Sequence, residues 1–336
     1  MLPAIFAGQE TDMRAVLCKA FGTPASLVLE DVPSLEPGPK EVVIRVRACG
    51  VNFPDILTIQ GKYQAKPAFP FSPGREVAGT ILRKGADVSG FNVGDRVVAT
   101  MGAGGFAEEA IARVDWLIPI PEGMDYVQAS AFLMTYGTSL YALKDRGRLA
   151  NGETLLVLGA AGGVGIAAIE IGKALGARVI AAASSEDKLD LCREHGADET
   201  INYSTENLRE RLRELTSDRG VDVICDPVGG PYSEPALRAM AWDGRFLVVG
   251  FAAGEIPRIA LNLTLLKGCA IVGVSWGGFL PRDLLRTRAH LNELVSLYAA
   301  GKLRPTVTVT YPLDRATDAL MELMERRAKG KIVIVP

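Results

Sequence analysis

The sequence predicts an α/β protein in which a β-rich part is joined to a doubly wound parallel sheet. From Met13 to about Thr135, short runs of alternating apolar and polar residues are broken by proline and glycine, which is typical of antiparallel strands. From about Asn151, continuous apolar runs alternate with helical stretches, which is typical of parallel βα units. The 336 residues also fit two domains of roughly 100–200 residues each.

The first part contains strands with one buried face. Every second side chain from Val42 to Ala48 is apolar, whereas Arg45 and Arg47 point to the opposite face. Proline and glycine cluster at Pro33–Pro39 and Pro67–Gly74, where we expect turns. These signals predict an all-β region of half-buried strands.

The second part begins with a buried strand and a helix. Thr154–Leu158 is an uninterrupted apolar run, and the helical stretch Val164–Leu175 follows it. A second strand, Arg178–Ala183, leads to Ser185, which stands at an N-cap position before the helix Glu186–His195. Crossovers of this kind place helices on both faces of a parallel sheet, and ligands bind at the carboxyl ends of its strands.

The remaining elements continue this alternation and then return to β character. They are a helix capped by Thr205, strands at Val221–Cys225, Arg245–Val249 and Cys269–Val274, a helix at Thr287–Ala300, a strand at Pro305–Tyr311, a helix at Asp314–Ala328 and a strand at Lys331–Val335. Because the chain ends in β structure, we expect its C-terminus to rejoin the first part, which makes the parallel sheet an insertion.

Charge and composition limit the partner and the compartment. The 37 basic and 39 acidic side chains leave a formal charge of -2, which offers no positive field for a nucleic acid or a membrane surface and favours a small-molecule partner. Five cysteines form no C-x-x-C pair, which indicates free thiols and the cytoplasm. The uncharged run Leu155–Ile169 is shorter than the roughly 18 residues that span a bilayer. Met1–Asp12 has too short an apolar run for a signal peptide, and we expect a loose leader there.

A glycine-rich loop between the first strand and the first helix of the second part is the strongest chemical signal. The strand Leu155–Leu158 runs into Gly159, and further glycines follow at 162, 163 and 165. Such glycines allow a tight turn and a close approach of the backbone to a pyrophosphate, which the N-terminus of the following helix then faces. The strand, loop and helix together therefore favour a dinucleotide site.

The end of the second strand favours NADPH over NADH. An NAD site presents Asp or Glu to the ribose 2′-hydroxyl about 20 residues after the glycine loop. Here the strand ends near Ser184 with no acid at its tip, Lys188 follows one turn into the helix, and Tyr203 follows the third strand. Hydroxyls and a cation suit a 2′-phosphate. The alternative is that Lys188 is an ordinary solvated lysine of the helix. The nearby Glu186 and Asp187 also weaken the evidence for a 2′-phosphate site.

Several motifs resemble those of the medium-chain dehydrogenase/reductase superfamily, and within it the zinc-independent quinone oxidoreductases. The motifs are Ala48-Cys49-Gly50-Val51-Asn52-Phe53-Pro54-Asp55, Gly61-Lys62-Tyr63, Gly74-Arg75-Glu76-Val77-Ala78-Gly79, Gly94-Asp95-Arg96-Val97, the glycine loop, Asn202-Tyr203, Asp226-Pro227-Val228-Gly229 and Gly330-Lys331-Ile332-Val333. The resemblance implies a GroES-like β domain plus a Rossmann doubly wound parallel sheet domain. It assigns residues 13–136 and 277–336 to the GroES-like catalytic domain and residues 137–276 to the Rossmann NADP-binding domain.

The resemblance also bears on metal binding. Zinc members read C-G-x-C-H-x-D and G-H-E where this chain has Cys49–Asp55 and Gly74–Glu76. Asn52 and Arg75 therefore stand where two ligands of a catalytic zinc would be. The sequence also lacks the four-cysteine lobe of the structural zinc, so we expect no metal.

Positions that match the family imply a set of site residues. Asn52 and Tyr63 are the catalytic candidates: the first lines the nicotinamide end and the second faces the substrate cleft. Lys188, Tyr203 and Arg326 are expected to bind the 2′-phosphate. The residues implied in cofactor binding are Asn52, Thr138, Gly162, Gly163, Val164, Ser184, Lys188, Tyr203, Val228, Gly250, Phe251, Ala252 and Arg326.

Three other side chains have structural interpretations. Asp55 is expected to order its loop. His195 and His290 have no partner at motif spacing, and we interpret both as surface or packing residues.

Three functions remain open. Without a metal to activate an alcohol, hydride delivery to a quinone or another conjugated carbonyl compound needs mainly positioning, which favours an NADPH-dependent quinone oxidoreductase. Gln60-Gly61-Lys62-Tyr63 also resembles the 2-enoyl-thioester and alkenal reductases, where the tyrosine supplies a proton. The third function is a non-catalytic NADPH-binding scaffold, crystallin-like or RNA-binding, although the near-neutral charge argues against RNA.

We expect a homodimer. Cys269–Val274 is predicted to be the outermost strand of the parallel sheet, and an apolar edge strand pairs readily with its symmetry mate. The family resemblance points the same way.

Overall fold

The computed structural model describes residues 12–336, so the predicted leader lies, apart from Asp12, outside the described residues. The described chain begins with an antiparallel ribbon of β1 (Met13–Leu17) and β2 (Val28–Val32). Two larger sheets follow, one of seven strands and one of six. Within residues 12–336, no helix has the length and apolar character needed to cross a membrane.

The remaining elements follow in chain order. The strands are β3 (Glu41–Gly50), β4 (Glu76–Lys84), β5 (Arg96–Thr100), β6 (Glu109–Arg113), β7 (Leu117–Pro119), β8 (Thr154–Leu158), β9 (Arg178–Ala183), β10 (Glu199–Asn202), β11 (Val221–Asp226), β12 (Met240–Val248), β13 (Ala270–Gly273), β14 (Val307–Pro312) and β15 (Lys331–Val335). The helices are α1 (Phe53–Ile59), α2 (Tyr126–Ala129), α3 (Leu133–Leu140), α4 (Gly163–Ala174), α5 (Glu186–Glu194), α6 (Leu208–Leu215), α7 (Ser233–Arg238), α8 (Asn262–Lys267), α9 (Trp276–Phe279), α10 (Leu284–Ala299) and α11 (Ala316–Met324). A π-helical segment, Tyr141–Arg146, continues α3.

Six strands form a parallel sheet in the order β10-β9-β8-β11-β12-β13. All residues of β8 and β11 are buried, as expected of central strands that are covered on both faces. Chain order runs one way from β8 to β10 and the other way from β11 to β13, so the switch point lies between β8 and β11. Sheets of this type bind ligands at that point. The predicted doubly wound parallel sheet is confirmed.

The seven-stranded sheet combines both ends of the chain. Its order is β14-β15-β3-β4-β5-β7, and β6 pairs with β3. The C-terminal β15 is antiparallel to β3, with Val333 and Ile334 opposite Gly50 and Cys49. The parallel sheet therefore lies, in sequence, between strands of this second sheet. The domain boundaries after residues 136 and 276 stay a prediction.

The cap predicted for α6 is wrong. Asn207, not Thr205, is the N-cap residue, and its Oδ1 accepts hydrogen bonds from the N–H groups of Arg209 and Glu210 at 3.1 and 3.2 Å. Both Thr and Asn are good N-cap residues, so residue type alone does not choose between two positions that lie two residues apart.

The predicted all-β region also contains helices, of which α1 is the most important for the site. It begins after Asn52, and the Asp55 carboxylate accepts a hydrogen bond from the Asn52 N–H at 2.8 Å. Asn52 and Asp55 form a capping box, which is a signal that the sequence carried. This contact agrees with the expectation that Asp55 orders its loop.

A buried carboxylate joins the parallel sheet's helices to the returning chain. Glu170 on α4 accepts hydrogen bonds from the Tyr136 hydroxyl at 2.8 Å and from the Arg304 N–H at 2.9 Å. Its other oxygen lies 2.6 Å from His195 Nδ1, and Thr306 Oγ1 lies 3.0 Å from Nε2 of the same ring. Because Glu170 is only 3% exposed, these contacts replace its hydration. His195 is a packing residue, as predicted, but no pattern in the sequence indicated its polar partners.

We expect Glu170→Ala to lower the free energy of unfolding by about 3–5 kcal/mol, because a phenol, an imidazole and an N–H group lose a buried acceptor. Urea unfolding followed by circular dichroism measures this loss. The control is Glu234→Ala, which removes an exposed ion pair with Arg238 and is expected to cost less than about 1 kcal/mol. Equally small losses in both variants would contradict a structural role for Glu170.

Candidate active site

The glycine loop connects β8 to α4 at the switch point. The first helical hydrogen bond runs from the Ile166 N–H to the Gly162 carbonyl at 2.9 Å, so the N–H groups of residues 163–165 lie before it. A Cβ atom at Gly165 would lie 2.4 Å from the Ala160 carbonyl oxygen, so the turn admits only glycine there. The N-terminus of α4 therefore has the free donors and the bare backbone that suit a pyrophosphate.

Two segments from the far side of the switch point border this loop. Val228, which follows β11, is buried, and its Cγ2 atom would lie 2.5 Å from a Cβ at Gly159. Gly250 and Ala252 donate their N–H groups to the carbonyl oxygens of residues 226 and 227 at 3.2 and 3.1 Å. These bonds hold the predicted segment 250–252 beside Val228.

A cluster of cations and hydroxyls, here named the β9 cluster, lies at the carboxyl end of β9. It consists of Ser184, Lys188, Tyr203 and Arg326. Lys188 Nζ lies 3.4 Å from Ser184 Oγ and donates to the Arg326 carbonyl at 2.9 Å. Burial raises the pKa of Tyr203 to about 12, and the nearby Ser184 side chain and Arg326 charge oppose this shift. The phenol therefore stays protonated at neutral pH and can donate a hydrogen bond to an anion.

Asp187, next to Lys188 in the sequence, already has a cationic partner. It pairs with Lys329 and accepts a hydrogen bond from the Ser185 hydroxyl. The bond with Lys329 is the main cause that lowers the pKa of Asp187 to about 2. Ser185 occupies the predicted N-cap position of α5, but its hydroxyl makes this contact and does not cap the helix. The charge of Asp187 is therefore balanced without Lys188.

A second cluster, here named the Asn52 cluster, lies on the other side of the glycine loop. It consists of Asn52, Glu76 and Lys331. The Lys331 ammonium donates to Asn52 Oδ1 at 2.5 Å and lies 3.5 Å from Glu76 Oε2. The Asn52 Nδ2 group donates to the Gly50 carbonyl at 3.0 Å. All three side chains are buried, so their mutual contacts replace most of their hydration.

The last strand brings this cluster against the glycine loop. The N–H of Gly330 donates to the Ala161 carbonyl at 2.7 Å, and the next residue is Lys331. The Lys331 Cδ atom would lie 3.4 Å from a Cβ at Gly163, so its stem runs along the loop. Thr138 is half-buried on α3. The next residue, Ser139, connects this helix to the same loop, because its Oγ donates to the Val164 carbonyl at 3.0 Å.

Arg75 connects α1 to Tyr63. Its guanidinium donates to Thr58 Oγ1 at 3.0 Å and lies 3.8 Å from Asp55 Oδ1. The guanidinium also lies over the half-buried Tyr63 ring, with the Cζ atom 4.4 Å from the ring centre. Burial raises the pKa of Asp55 to about 6, and the Arg75 charge opposes this shift.

The residues at the zinc-ligand positions do not fit a metal. A guanidinium cannot bind a cation, and the Asn52 carbonyl oxygen is taken by an ammonium group. Within residues 12–336, no group of three or more His, Cys, Asp or Glu side chains is placed to hold a metal ion.

The structure thus brings predicted cofactor residues together at the glycine loop and at the carboxyl end of the neighbouring β9. Asn52 is connected to the loop through Lys331, and Tyr63 contacts Arg75. Their roles stay predictions. Sequence reasoning missed Glu76 and Lys331 as site residues. Both lie inside motifs that carry the family resemblance, so the signal was present but no chemistry was attached to it.

Comparison with known proteins identifies related families and relatives. Residues 163–293 match the family described as "Zinc-binding dehydrogenase", and residues 38–122 match "Alcohol dehydrogenase GroES-like domain". The "Quinone oxidoreductase-like protein 2 homolog" of Nematostella vectensis is 39% identical over 325 residues, which are 96% of this chain and 88% of the relative. The "Quinone oxidoreductase" of Pseudomonas aeruginosa is 37% identical over 318 residues, which are 94% and 98% of the two chains.

A solved structure agrees with the fold. The Escherichia coli quinone oxidoreductase complexed with NADPH has a TM-score of 0.90 and 29% identity to this chain, and the match covers 96% of this chain and 100% of that one. The predicted pairing of a GroES-like domain with a Rossmann domain is confirmed by these matches. The chain therefore belongs to the medium-chain dehydrogenase/reductase superfamily and is an oxidoreductase of its quinone oxidoreductase family.

Proposed function

We propose that this oxidoreductase uses NADPH to reduce a quinone or a similar conjugated carbonyl compound, without a metal. The single observation that carries the proposal is the position of the two clusters. The β9 cluster offers cations and hydroxyls to a 2′-phosphate, and the Asn52 cluster, on the far side of the same glycine loop, has no set of metal ligands. The quinone oxidoreductase relatives support the acceptor class.

The residues present fit NADPH. The N-terminus of α4 suits the pyrophosphate, and Lys188, Tyr203 and Arg326 suit the 2′-phosphate through charge-assisted and neutral hydrogen bonds. Held by these residues, NADPH would supply a hydride, that is, two electrons and a proton, for transfer to the acceptor. The structure neighbour from Escherichia coli that contains NADPH supports the assignment.

The chain's own residues position the acceptor. Asn52 and Thr138 line the proposed nicotinamide end, and Tyr63 and Arg75 border the cleft beyond it. When a quinone gains a hydride, negative charge develops on its oxygen, and a proton from water neutralises that charge. Because the acceptor is already electron-poor, its orientation beside the cofactor is the main requirement, and no Lewis acid is needed.

One contact supports a second candidate, a 2-enoyl-thioester or alkenal reductase. Such a reaction places a proton on carbon, for which a tyrosine is a suitable donor. The Arg75 guanidinium over the Tyr63 ring can stabilise the phenolate that remains after proton donation. No contact among residues 12–336 specifically favours the scaffold function, crystallin-like or RNA-binding.

The surface around β13 supports a homodimer. This strand lies at the edge of the parallel sheet, and Ile271 on it is exposed. Leu265 of the preceding helix is 78% exposed, and Trp242, which lies against Gly268, is 73% exposed. An open edge with apolar neighbours of this size is typical of a protein–protein contact.

The five free cysteines, four of them buried, support the cytoplasm as the compartment.

The Tyr63→Phe variant separates the two enzyme candidates. If Tyr63 only shapes the cleft, we expect the variant to reduce quinones within a few-fold of the parent rate, because water protonates the product oxygen. A positioned proton donor contributes about 10²–10⁴-fold, so a loss of that size with NADPH binding intact would contradict the quinone assignment. NADPH consumption is followed with quinones, enones and crotonyl thioesters as acceptors.

The Lys188→Ala variant tests the cofactor. We expect the Kd for NADPH to rise about 10- to 100-fold, because a hydrogen bond to a charged phosphate is lost, and the Kd for NADH to change less than about threefold. Fluorescence titration of both cofactors measures this. Lys173→Ala removes an exposed lysine that pairs with Asp198 and is the matched control. Equal losses for both cofactors would contradict the assignment.

The Arg326→Gly variant tests the same cluster without harm to the fold. Arg326 has a backbone φ of +59°, a left-handed conformation that favours glycine, so we expect no loss of thermal stability. The affinity for NADPH should nevertheless fall, and the affinity for NADH should not. A lower melting temperature with unchanged NADPH affinity would show that the Arg326 side chain serves the fold, through its hydrogen bond to the Ala253 carbonyl, and not the cofactor.

The oligomeric state is tested by light scattering. We expect the parent to form a particle of two 35.8 kDa chains at micromolar concentration, and Ile271→Lys to form a single-chain particle, because a charge on the edge strand blocks its pairing. Val93→Lys places the same charge on an exposed valine of a distant turn and should leave the dimer intact. A monomeric parent would contradict the proposal.

A further inference from the structure

We infer that Lys331 is a positioning residue for the reduction: its ammonium group orients and polarises the Asn52 carboxamide, which then donates a hydrogen bond to the acceptor oxygen that gains negative charge. The inference rests on the proposed function, because it needs an acceptor with such an oxygen. It concerns a residue that the sequence motifs did not place in the site.

The hydrogen bonds determine the orientation of the Asn52 side chain. An ammonium group can only donate, so the atom 2.5 Å from Lys331 Nζ must be the carboxamide oxygen. A carbonyl can only accept, so the atom 3.0 Å from the Gly50 oxygen must be Nδ2. Nδ2 has two hydrogens, and the contacts within residues 12–336 use one of them. The second hydrogen is the donor offered to the acceptor.

Burial makes the Lys331 charge effective. Lys331 is 5% exposed and Asn52 is 7% exposed, so little water screens the ammonium from the carboxamide. A hydrogen bond accepted by the amide oxygen polarises the amide and strengthens the hydrogen bond that its N–H donates, by about 10–30% in condensed phase. Asn52 thus becomes a better donor than an asparagine that contacts only neutral groups.

The backbone leaves a path for this lysine. A Cβ at Gly50 would lie 3.0 Å from Lys331 Cε, and a Cβ at Gly163 would lie 3.4 Å from its Cδ. The stem therefore passes between β3 and the glycine loop, with glycine on each side. Since the N–H of the preceding Gly330 is hydrogen bonded to the Ala161 carbonyl, the Lys331 ammonium is held at a set distance from the loop that receives the cofactor. Lys331 thus connects the Asn52 carboxamide, which donates to the acceptor oxygen, to the loop that receives the cofactor.

A purely structural role is the competing explanation. Glu76 is fully buried, and Lys331 lies 3.5 Å from it, so loss of the lysine leaves an unpaired charge. The other Glu76 oxygen accepts from the Met134 N–H at 2.9 Å, which an amide oxygen can replace. A double variant that removes both charges therefore separates stability from rate.

The experiment compares the parent with Lys331→Met, Lys331→Met/Glu76→Gln, Asn52→Ala and Lys331→Met/Asn52→Ala. The control is Lys84→Met, which changes an exposed lysine on β4 of the same sheet. With a quinone, we expect Lys331→Met to lower kcat about 10- to 100-fold, with KM and the NADPH Kd within about threefold. Glu76→Gln should restore the melting temperature but not kcat. Lys331→Met should have no further effect on kcat when Asn52 is already alanine.

A second measurement needs no turnover. In the protein without cofactor, labelled with ¹⁵N at asparagine side chains, Asn52→Ala identifies the Asn52 carboxamide signal by its loss. We expect this signal to move upfield in Lys331→Met/Glu76→Gln, because the amide is no longer polarised, and to stay unchanged in Lys84→Met.

Each remaining outcome overturns a defined statement. If the parent reduces the quinone and Lys331→Met/Glu76→Gln has the same kcat as the parent, Lys331 only balances the charge of Glu76. In that case the inference is wrong, while the proposed function stands. Additive losses of Lys331→Met and Asn52→Ala, or an unmoved carboxamide signal, also overturn the inference. A parent that reduces none of the acceptors overturns the proposed function, and the inference falls with it.

Discussion

The site depends on one contact between the two large sheets, the hydrogen bond from the Gly330 N–H to the Ala161 carbonyl at 2.7 Å. Gly330 immediately precedes β15, which pairs with β3 in the seven-stranded sheet, whereas Ala161 belongs to the glycine loop of the parallel sheet. The bond therefore connects the strand that carries Lys331 to the loop that suits a pyrophosphate. Asn52, just beyond the end of β3, reaches the loop only because β15 lies between them.

The parts of this molecule that could be predicted are those whose signals are local. The apolar runs of β8 and β9, the glycine loop and the absence of an acid at the tip of β9 all lie within about 30 consecutive residues, and together they indicate a dinucleotide site. The parallel sheet follows from the same alternation. Local signals can also conflict. The capping box of Asn52 and Asp55 indicates the start of α1, whereas the alternating apolar and polar residues around it predicted only β structure.

What the sequence could not supply are contacts between distant positions. Lys331 bonds to a side chain 279 residues away, and the Arg304 N–H bonds to a carboxylate 134 residues away. No periodicity relates such positions, and Lys331 and Glu170, each taken alone, have an ordinary interpretation as surface charges. Only the return of the chain to the first sheet, which the terminal β pattern indicated, brings them together.

The two sides of the loop differ in how they hold charge. In the β9 cluster, Arg326 is exposed, so its charge can meet a soluble anion at little desolvation cost. In and beside the Asn52 cluster the charges are buried: burial raises the pKa of Asp55 to about 6 and also raises the pKa of Glu76. A carboxyl whose pKa is raised by folding destabilises the folded state when it is ionised. For Asp55 this effect is complete above about pH 6 and disappears below its ordinary pKa of about 3.9. The protein thus keeps buried ionised groups at neutral pH against a folding penalty, and these groups hold Asn52 and Arg75 in fixed places.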